Sequence, residues 1–275
     1  MSSTKGLAII AGFGPGISYK LATQFGTLYD IVVLGRSTPT VLQTKPSATL
    51  PPPVSATTLL LKSLFTDPDL TNLETPPLVS SIQTDLASDV SVSETFAQIK
   101  DFNQPVAVAI FNASAPFLRK PFLQSTPAEY SAAFSISALG SVLFAQHAIP
   151  LLLNGVDFNN KSSTPELPYP PTLFFTGATA GYKSSAQMSV FAAAKHAQRA
   201  IALSVAREYG PKGLHVALVN IDGLVDSEKT KAFLADVPDG KLVPADVALS
   251  YLDIHKQPRS AWTNEFEIRP WAESW

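Results

Sequence analysis

Two places in this 275-residue chain carry residues whose type and spacing could do chemistry. The first is Ala11-Gly12-Phe13-Gly14-Pro15-Gly16-Ile17-Ser18. Glycines at that density permit positive φ and let backbone approach a phosphate closely. A helix beginning at Ile17 would turn its free N–H groups and positive dipole end toward such an anion. The second is Lys195, four residues after Phe191, a spacing that puts both on one helical face. Between these places stands Gly35-Arg36-Ser37. No Asp or Glu occurs from Ile31 to Val41, where NAD-preferring sites usually place an acid for the ribose hydroxyls. A guanidinium at Arg36 suits the dianion of a 2′-phosphate instead. The ligand this pattern points to is a nicotinamide dinucleotide, NADP(H) before NAD(H).

Such residues need strands and helices to hold them. Leu7–Ala11 reads as a buried strand, Ile17–Phe25 as the helix after it, and Ile31–Leu34 as a second strand. Val106–Phe111 is wholly apolar, as a strand covered on both faces must be. Thr172–Thr176 and Leu214–Val219 repeat that pattern, and Phe266–Arg269 reads as the last strand. Pro127–Leu153 and Ala186–Tyr209 read as long helices, the second stopped by Gly210-Pro211. The alternation predicts one Rossmann-type, doubly wound parallel α/β domain over residues 1–275. Ser37 to Pro77 departs from it with eight prolines. There the expectation is an insertion with a brief helix over Ala56–Phe65. It is either a surface feature without function or a lid near the cofactor's adenine end.

Composition narrows the function classes. Hydrophobic residues make up 45% of the chain, enough for one large core. Charged residues make up 15% and the net charge is −2, so neither nucleic acid nor an anionic membrane is an expected partner. The absence of cysteine excludes disulfides, thiolate metal sites and a Cys nucleophile. No His and carboxylate pair has metal-ligand spacing. The longest apolar stretch, Leu139–Leu153, is broken by Gln146 and His147 and falls short of the roughly 20 residues a spanning helix needs. The N-terminal apolar run is interrupted by glycines and reads as a strand, not a signal peptide, which implies a cytoplasmic protein.

The glycine-rich turn resembles the T-G-x-x-x-G-I-G pattern of short-chain dehydrogenases/reductases. Gly12, Gly16 and Ile17 match; Ala11 replaces Thr and Ser18 replaces the last Gly. Asp85-Leu86 resembles that family's adenine-contacting pair, and Asn112-Ala113-Ser114 its Asn-Ala-Gly. Phe191-Ala-Ala-Ala-Lys195 falls where the family has Tyr-x-x-x-Lys. Arg207 to Gly213 resembles the turn before its sixth strand. The likeness spans nearly the whole chain outside the Pro-rich stretch. It implies cofactor contacts from Gly12, Gly14, Gly16 and Ile17 at the turn. Further contacts would come from Arg36, Asp85, Leu86, Asn112 and Lys195, and from Gly223 and Ser227 after the sixth strand. It also implies a small-molecule substrate and a homodimer or homotetramer built through the long helices.

The resemblance implies as well that Asn, Ser, Tyr and Lys reduce a carbonyl, Tyr giving the proton. Here those positions hold Ser137, Ala178, Phe191 and Lys195. General acid catalysis is typically worth about 10²–10⁴ in rate, and an oxyanion donor about 10²–10³. Substitutes are Thr179, Tyr182, Lys195 and Asp222, each with an ordinary structural role as the alternative. His196 and His215 stand beside motif positions without a catalytic assignment. The tail from Gln257 resembles that of a divergent subgroup with Phe in place of Tyr, and Trp262 and Trp271 are expected in the core or at subunit contacts. Three functions stay open. One is a divergent NADP(H)-dependent oxidoreductase with a rearranged proton donor, and another a cofactor-binding sensor or scaffold. The third is a non-redox isomerase or cyclase whose hydrophobic substrate meets Phe117, Phe122, Tyr130 and Phe134.

Overall fold

The computed structural model describes residues 5–38, 40–44, 56–161 and 167–273. An eight-stranded sheet runs through it. In chain order its strands are β1 (Leu7–Ala11), β2 (Asp30–Gly35), β3 (Val41–Thr44), β4 (Val79–Gln83), β5 (Val106–Phe111), β6 (Thr172–Thr176), β7 (His215–Ile221) and β8 (Glu265–Ile268). Their order across the sheet is β3-β4-β2-β1-β5-β6-β7-β8. All pairings are parallel except that of β3, which runs antiparallel to β4 at one edge. The order reverses between β1 and β5, so a crevice opens there at the carboxyl ends of the strands.

Both faces of the sheet are covered, and the strand sequences show why. Every residue of β1, β2, β5, β6 and β7 is buried, which a wholly apolar or β-branched run tolerates and an alternating one would not. On one face lie α1 (Ile17–Gly26), α2 (Ala56–Phe65) and α8 (Pro244–His255), contributing Phe25, Leu64 and Tyr251. The other face carries α4 (Asp89–Lys100), α6 (Gly140–Lys161) and α7 (Ser189–Tyr209), with Phe96, Phe144 and Ala202. Two shorter helices, α3 (Pro68–Thr71) and α5 (Pro127–Phe134), complete the set. Each large side chain buried this way contributes roughly 1.5–3 kcal/mol.

Several expectations need correction. The Pro127–Leu153 helix is two helices joined by a π turn at Ser135–Leu139. Gly140 sits at the junction because a Cβ there would meet the Leu86 carbonyl oxygen at 2.8 Å. The combined run Pro127–Asp157 is long and apolar enough to cross a membrane by length and composition, unlike Leu139–Leu153 alone. Half of its most apolar window is nevertheless buried inside the fold, and Phe144, Ala148 and Leu152 pack in the core as those of a core helix do. Helix α7 begins at Ser189, not Ala186, because Gln187 takes φ of 68° and turns the chain just ahead of it. The Pro-rich stretch holds its expected helix at Ala56–Phe65 but is more than a surface feature. It adds the edge strand β3, and Leu61, Leu64 and Phe65 of α2 are fully buried against α1. Its residues 39 and 45–55 lie outside the described residues.

A buried polar triad ties α8 to the foot of the sheet. Tyr29 Oη lies 2.7 Å from His255 Nε2, and Thr172 Oγ1 lies 2.7 Å from His255 Nδ1. The Thr172 hydroxyl donates to the Pro170 carbonyl at 3.0 Å, so its proton is committed. His255 Nδ1 must therefore be the donor to Thr172, and Nε2 accepts from Tyr29. Protonation of Nε2 would make it a donor, so it could no longer accept the Tyr29 proton. Burial, with smaller contributions from His215 and Lys256, pushes the His255 pKa down to about 3.

A stability prediction follows. The unfolded histidine titrates near 6.5, so between roughly pH 3 and 6.5 the unfolded state binds the extra proton and folding weakens as pH falls. The loss approaches about 1.4 kcal/mol per pH unit for one such group. Urea midpoints should fall from pH 7 to pH 5, and the slope should be shallower in His255→Gln. An unchanged slope in that variant would contradict the triad's role.

Candidate functional site

The crevice between β1 and β5 holds a cavity of about 510 Å³. Gly12, Arg36, Asp85, Leu86, Asn112 and Lys229 are among the residues that line it. Gly12 is where it must be. Its φ is +86°, and a Cβ would lie 2.6 Å from the Ala113 amide nitrogen after β5. Its N–H and that of Phe13 both donate to the Leu34 carbonyl at 2.9 Å, which fastens the turn to β2. Arg36 follows the last residue of β2 and is exposed at the cavity wall. Asp85 follows β4 by two residues, and its carboxylate accepts from the Ala87 N–H at 3.1 Å. Asn112 follows β5, and its N–H donates to Ala11 at 2.9 Å. Residues read from separate stretches of sequence thus meet at one cavity because four parallel strands end there.

The other proposed cofactor contacts lie around or away from this cavity. Gly16, with φ of +99°, caps α1 without a side-chain partner, and Ile17 is the first helical residue. A Cβ on Gly14 would meet nothing within 4 Å. Gly16 and Ser227 open onto a second cavity of about 540 Å³ beyond the turn. Gly223 takes φ of +148°, and a Cβ there would meet Pro270 at 2.7 Å. Lys229 was missed by sequence reasoning. It sits in the long connection between β7 and α8, where no periodicity or motif marks it.

The residues that the sequence resemblance sets at catalytic positions come out apolar or already engaged. The Phe191 ring packs edge-on against Phe117 with centroids 5.6 Å apart. Ser137 is fully buried and accepts the Ala115 N–H at 2.9 Å. Ala178 follows the end of β6 and brings no hydroxyl. Lys195 is only 3% exposed, and its Nζ donates to the Thr176 carbonyl and to Gln198 Oε1, both at 2.9 Å. Burial pushes its pKa down to about 7.

Thr179, Tyr182 and Asp222, considered separately as substitutes, form one cluster with Arg269. The Thr179 hydroxyl donates to Asp222, and Arg269 pairs with Asp222 and, at 2.9 Å, with Glu267. Burial alone would raise the Asp222 carboxyl, but the Thr179 hydroxyl and the Arg269 charge hold it below the usual carboxylate range. The Tyr182 phenol is pushed well up by burial and by Glu267 and Asp222. Its side chain borders a shallow recess with Arg199, Asn220 and Glu265, off the 510 Å³ cavity. The Thr179 proton is committed to a carboxylate, so it is not offered to a substrate oxygen.

The remaining candidates have structural partners. His196 bonds the Ala192 carbonyl at 2.9 Å one turn back, and His215 bonds the Thr263 carbonyl and stacks on Trp262 at 4.8 Å. Trp271 is 79% exposed and so lies outside the core. Phe117 and Phe122 are 64% and 69% exposed, while Tyr130 donates to Ser189 Oγ at 2.7 Å. Phe134 packs on a small cluster with Ala115, Val190 and Ala194. Of these aromatics, Phe122 and Tyr130 border one open cavity of about 520 Å³.

Comparisons with known proteins agree with this fold. A family model described as enoyl-(acyl carrier protein) reductase matches residues 70–239. A short-chain dehydrogenase from Rhodopseudomonas palustris is 25% identical, with a TM-score of 0.69 over 97% of this chain and 98% of that one. A metagenomic short-chain oxidoreductase in complex with NADP is 16% identical, with a TM-score of 0.71 over 98% and 99%. The NADH-dependent reductase A1-R′ complexed with NAD is 14% identical, with a TM-score of 0.72 over 98% and 97%. No curated protein sequence matches the chain significantly.

The Asp222 cluster gives a direct test. Removing one partner of a buried ion pair strands the other charge. Arg269→Met should lower the melting temperature, and adding Asp222→Asn should recover part of the loss. Additive losses in the double variant would show that the two residues are not coupled.

Proposed function

The chain belongs to the short-chain dehydrogenase/reductase family, and from that premise we propose that it is a divergent NADP(H)-dependent oxidoreductase. It works without the family's usual Ser and Tyr, in the cytoplasm, on a small hydrophobic substrate. The supporting observation is Arg36, exposed at the cavity wall, with no carboxylate from Ile31 to Val41 to repel a 2′-phosphate or bind a free ribose. The crevice fits such a ligand. The close approach at Gly12 keeps the backbone low, and Asp85 and Leu86 line the same cavity, where this reading puts the adenine. Gly12, Arg36, Asp85, Leu86 and Asn112 would hold the dinucleotide, and the uncapped start of α1 would face its phosphates. When bound, the nicotinamide supplies or takes up a hydride.

Lys195 is the proton-carrying group this reading favours. A pKa of about 7 keeps both of its protonation states available at neutral pH. An ammonium has three N–H donors, and two are used on Thr176 and Gln198. The Phe117 and Phe191 pair and Phe122 offer an apolar surface for the substrate. A second reading is a cofactor-binding protein without redox chemistry. It is favoured by the Thr179 hydroxyl, which is turned onto Asp222.

Fluorescence titration tests the cofactor reading. NADPH should bind about 10–100-fold more tightly than NADH, and Arg36→Ala should remove most of that difference. Equal affinities in the unaltered protein would contradict it. The two readings separate on Phe191→Tyr combined with Ala178→Ser. Under the oxidoreductase reading the unaltered protein turns over ketones, imines or enals with NADPH. Under the second it turns over none, and the double variant gains ketone reduction.

A further inference from the structure

A dinucleotide carries two charged phosphates at its centre, yet the turn that meets them here has few N–H groups left to offer. Those of Gly12 and Phe13 go to Leu34. The Gly14 N–H donates to Ser18 Oγ at 2.9 Å, and that hydroxyl donates back to the Gly14 carbonyl at 2.9 Å. Pro15 has no N–H. The capping residue Gly16 has no side chain to add. What remains is the Gly16 N–H and the amides at the very start of α1. Ser18, which stands where the family pattern has its last glycine, is therefore the residue that withdraws the Gly14 donor.

The missing attraction has a candidate source across the crevice. Lys229 and Pro15 line both the 510 Å³ and the 540 Å³ cavities, so the lysine stands beside the turn where the two meet. The acids flanking it are occupied by other partners. Glu228 pairs with Lys231 at 2.7 Å and Asp226 with Lys241 at 2.6 Å. Among the described residues Lys229 makes no ion pair, and it is exposed. Arg36 does not fill this role, since it follows β2 on the wall that carries Asp85, the residue the cofactor reading sets at the adenine.

We propose that Lys229 closes over the pyrophosphate of the bound dinucleotide and supplies the positive charge that the donor-poor turn lacks. This rests on the cofactor reading above and adds a division of labour. Arg36 distinguishes NADP(H) from NAD(H), whereas Lys229 holds the part that both share. A lysine ammonium suits this task, because its three rotatable donors can follow a phosphate without a fixed fork geometry.

Calorimetric titration of the full chain with NADPH, NADH and adenosine 2′-monophosphate tests the proposal. Lys229→Ala should weaken both dinucleotides by a similar factor, about 10-fold or more, and leave adenosine 2′-monophosphate unchanged. Lys229→Arg should retain most of the affinity, and circular dichroism should show both variants folded. Dinucleotide affinities in Lys229→Ala equal to those of the unaltered protein would overturn the clamp while leaving the cofactor reading intact. A loss confined to NADPH would overturn it too, by moving Lys229 to the 2′-phosphate. If the unaltered protein binds neither dinucleotide, the cofactor reading and this proposal fall together.

Discussion

The site depends on one close approach: the chain leaving β1 passes so near the start of the β5 loop that Gly12 has no room for a Cβ against the Ala113 amide. Its own N–H is tied to β2 through Leu34. This contact fixes the turn at the point where strand order reverses, and the crevice exists because neighbouring strands leave it in opposite directions. Arg36, Asp85 and Asn112 each follow a strand end by one or two residues, so a rigid sheet aims them at the same cavity. Helix α1 starts just beyond Pro15, which lines that cavity, and Gly16 accepts a left-handed φ immediately ahead of it.

In the proposed reading the catalytic chemistry is rearranged more than deleted. In that reading Phe191 and Ala178 bring no hydroxyl, while Thr179, the residue after Ala178, joins Asp222, Arg269 and Glu267 in a charged cluster. A buried charge network of this kind orients side chains and costs desolvation, so it is weak evidence for stability as such. Lys195 stays buried between Thr176 and Gln198, where desolvation makes its ammonium easier to deprotonate. The same low-dielectric surroundings that lower its pKa strengthen whatever bonds it makes.

Much of this was legible in the sequence, for reasons that differ by element. The strands Leu7–Ala11, Val106–Phe111 and Thr172–Thr176 match the structure residue for residue, because sheets covered on both faces leave continuous apolar runs. The glycine turn and Arg36 could be found because local spacing carries their meaning. Strand β4 went unassigned because Val-Ser-Ser-Ile-Gln has polar residues whose burial depends on neighbours far along the chain. The π turn at Ser135 leaves no periodic signal within an apolar helix. Thr179 meets Asp222 across 43 positions and Arg269 meets it across 47, contacts that only the folded topology creates. Lys229 is likewise an ordinary surface lysine until the β7–α8 connection lays it beside Pro15.

The central claim is that a 2′-phosphorylated dinucleotide lies in the crevice over Gly12. A crystal structure of the protein soaked with NADPH at millimolar concentration tests it most directly. The account predicts the 2′-phosphate within hydrogen-bond distance of the Arg36 guanidinium, the adenine beside Asp85 and Leu86, and the pyrophosphate at the first turn of α1. A crevice without ligand density, or an adenosine bound elsewhere on the molecule, would contradict it.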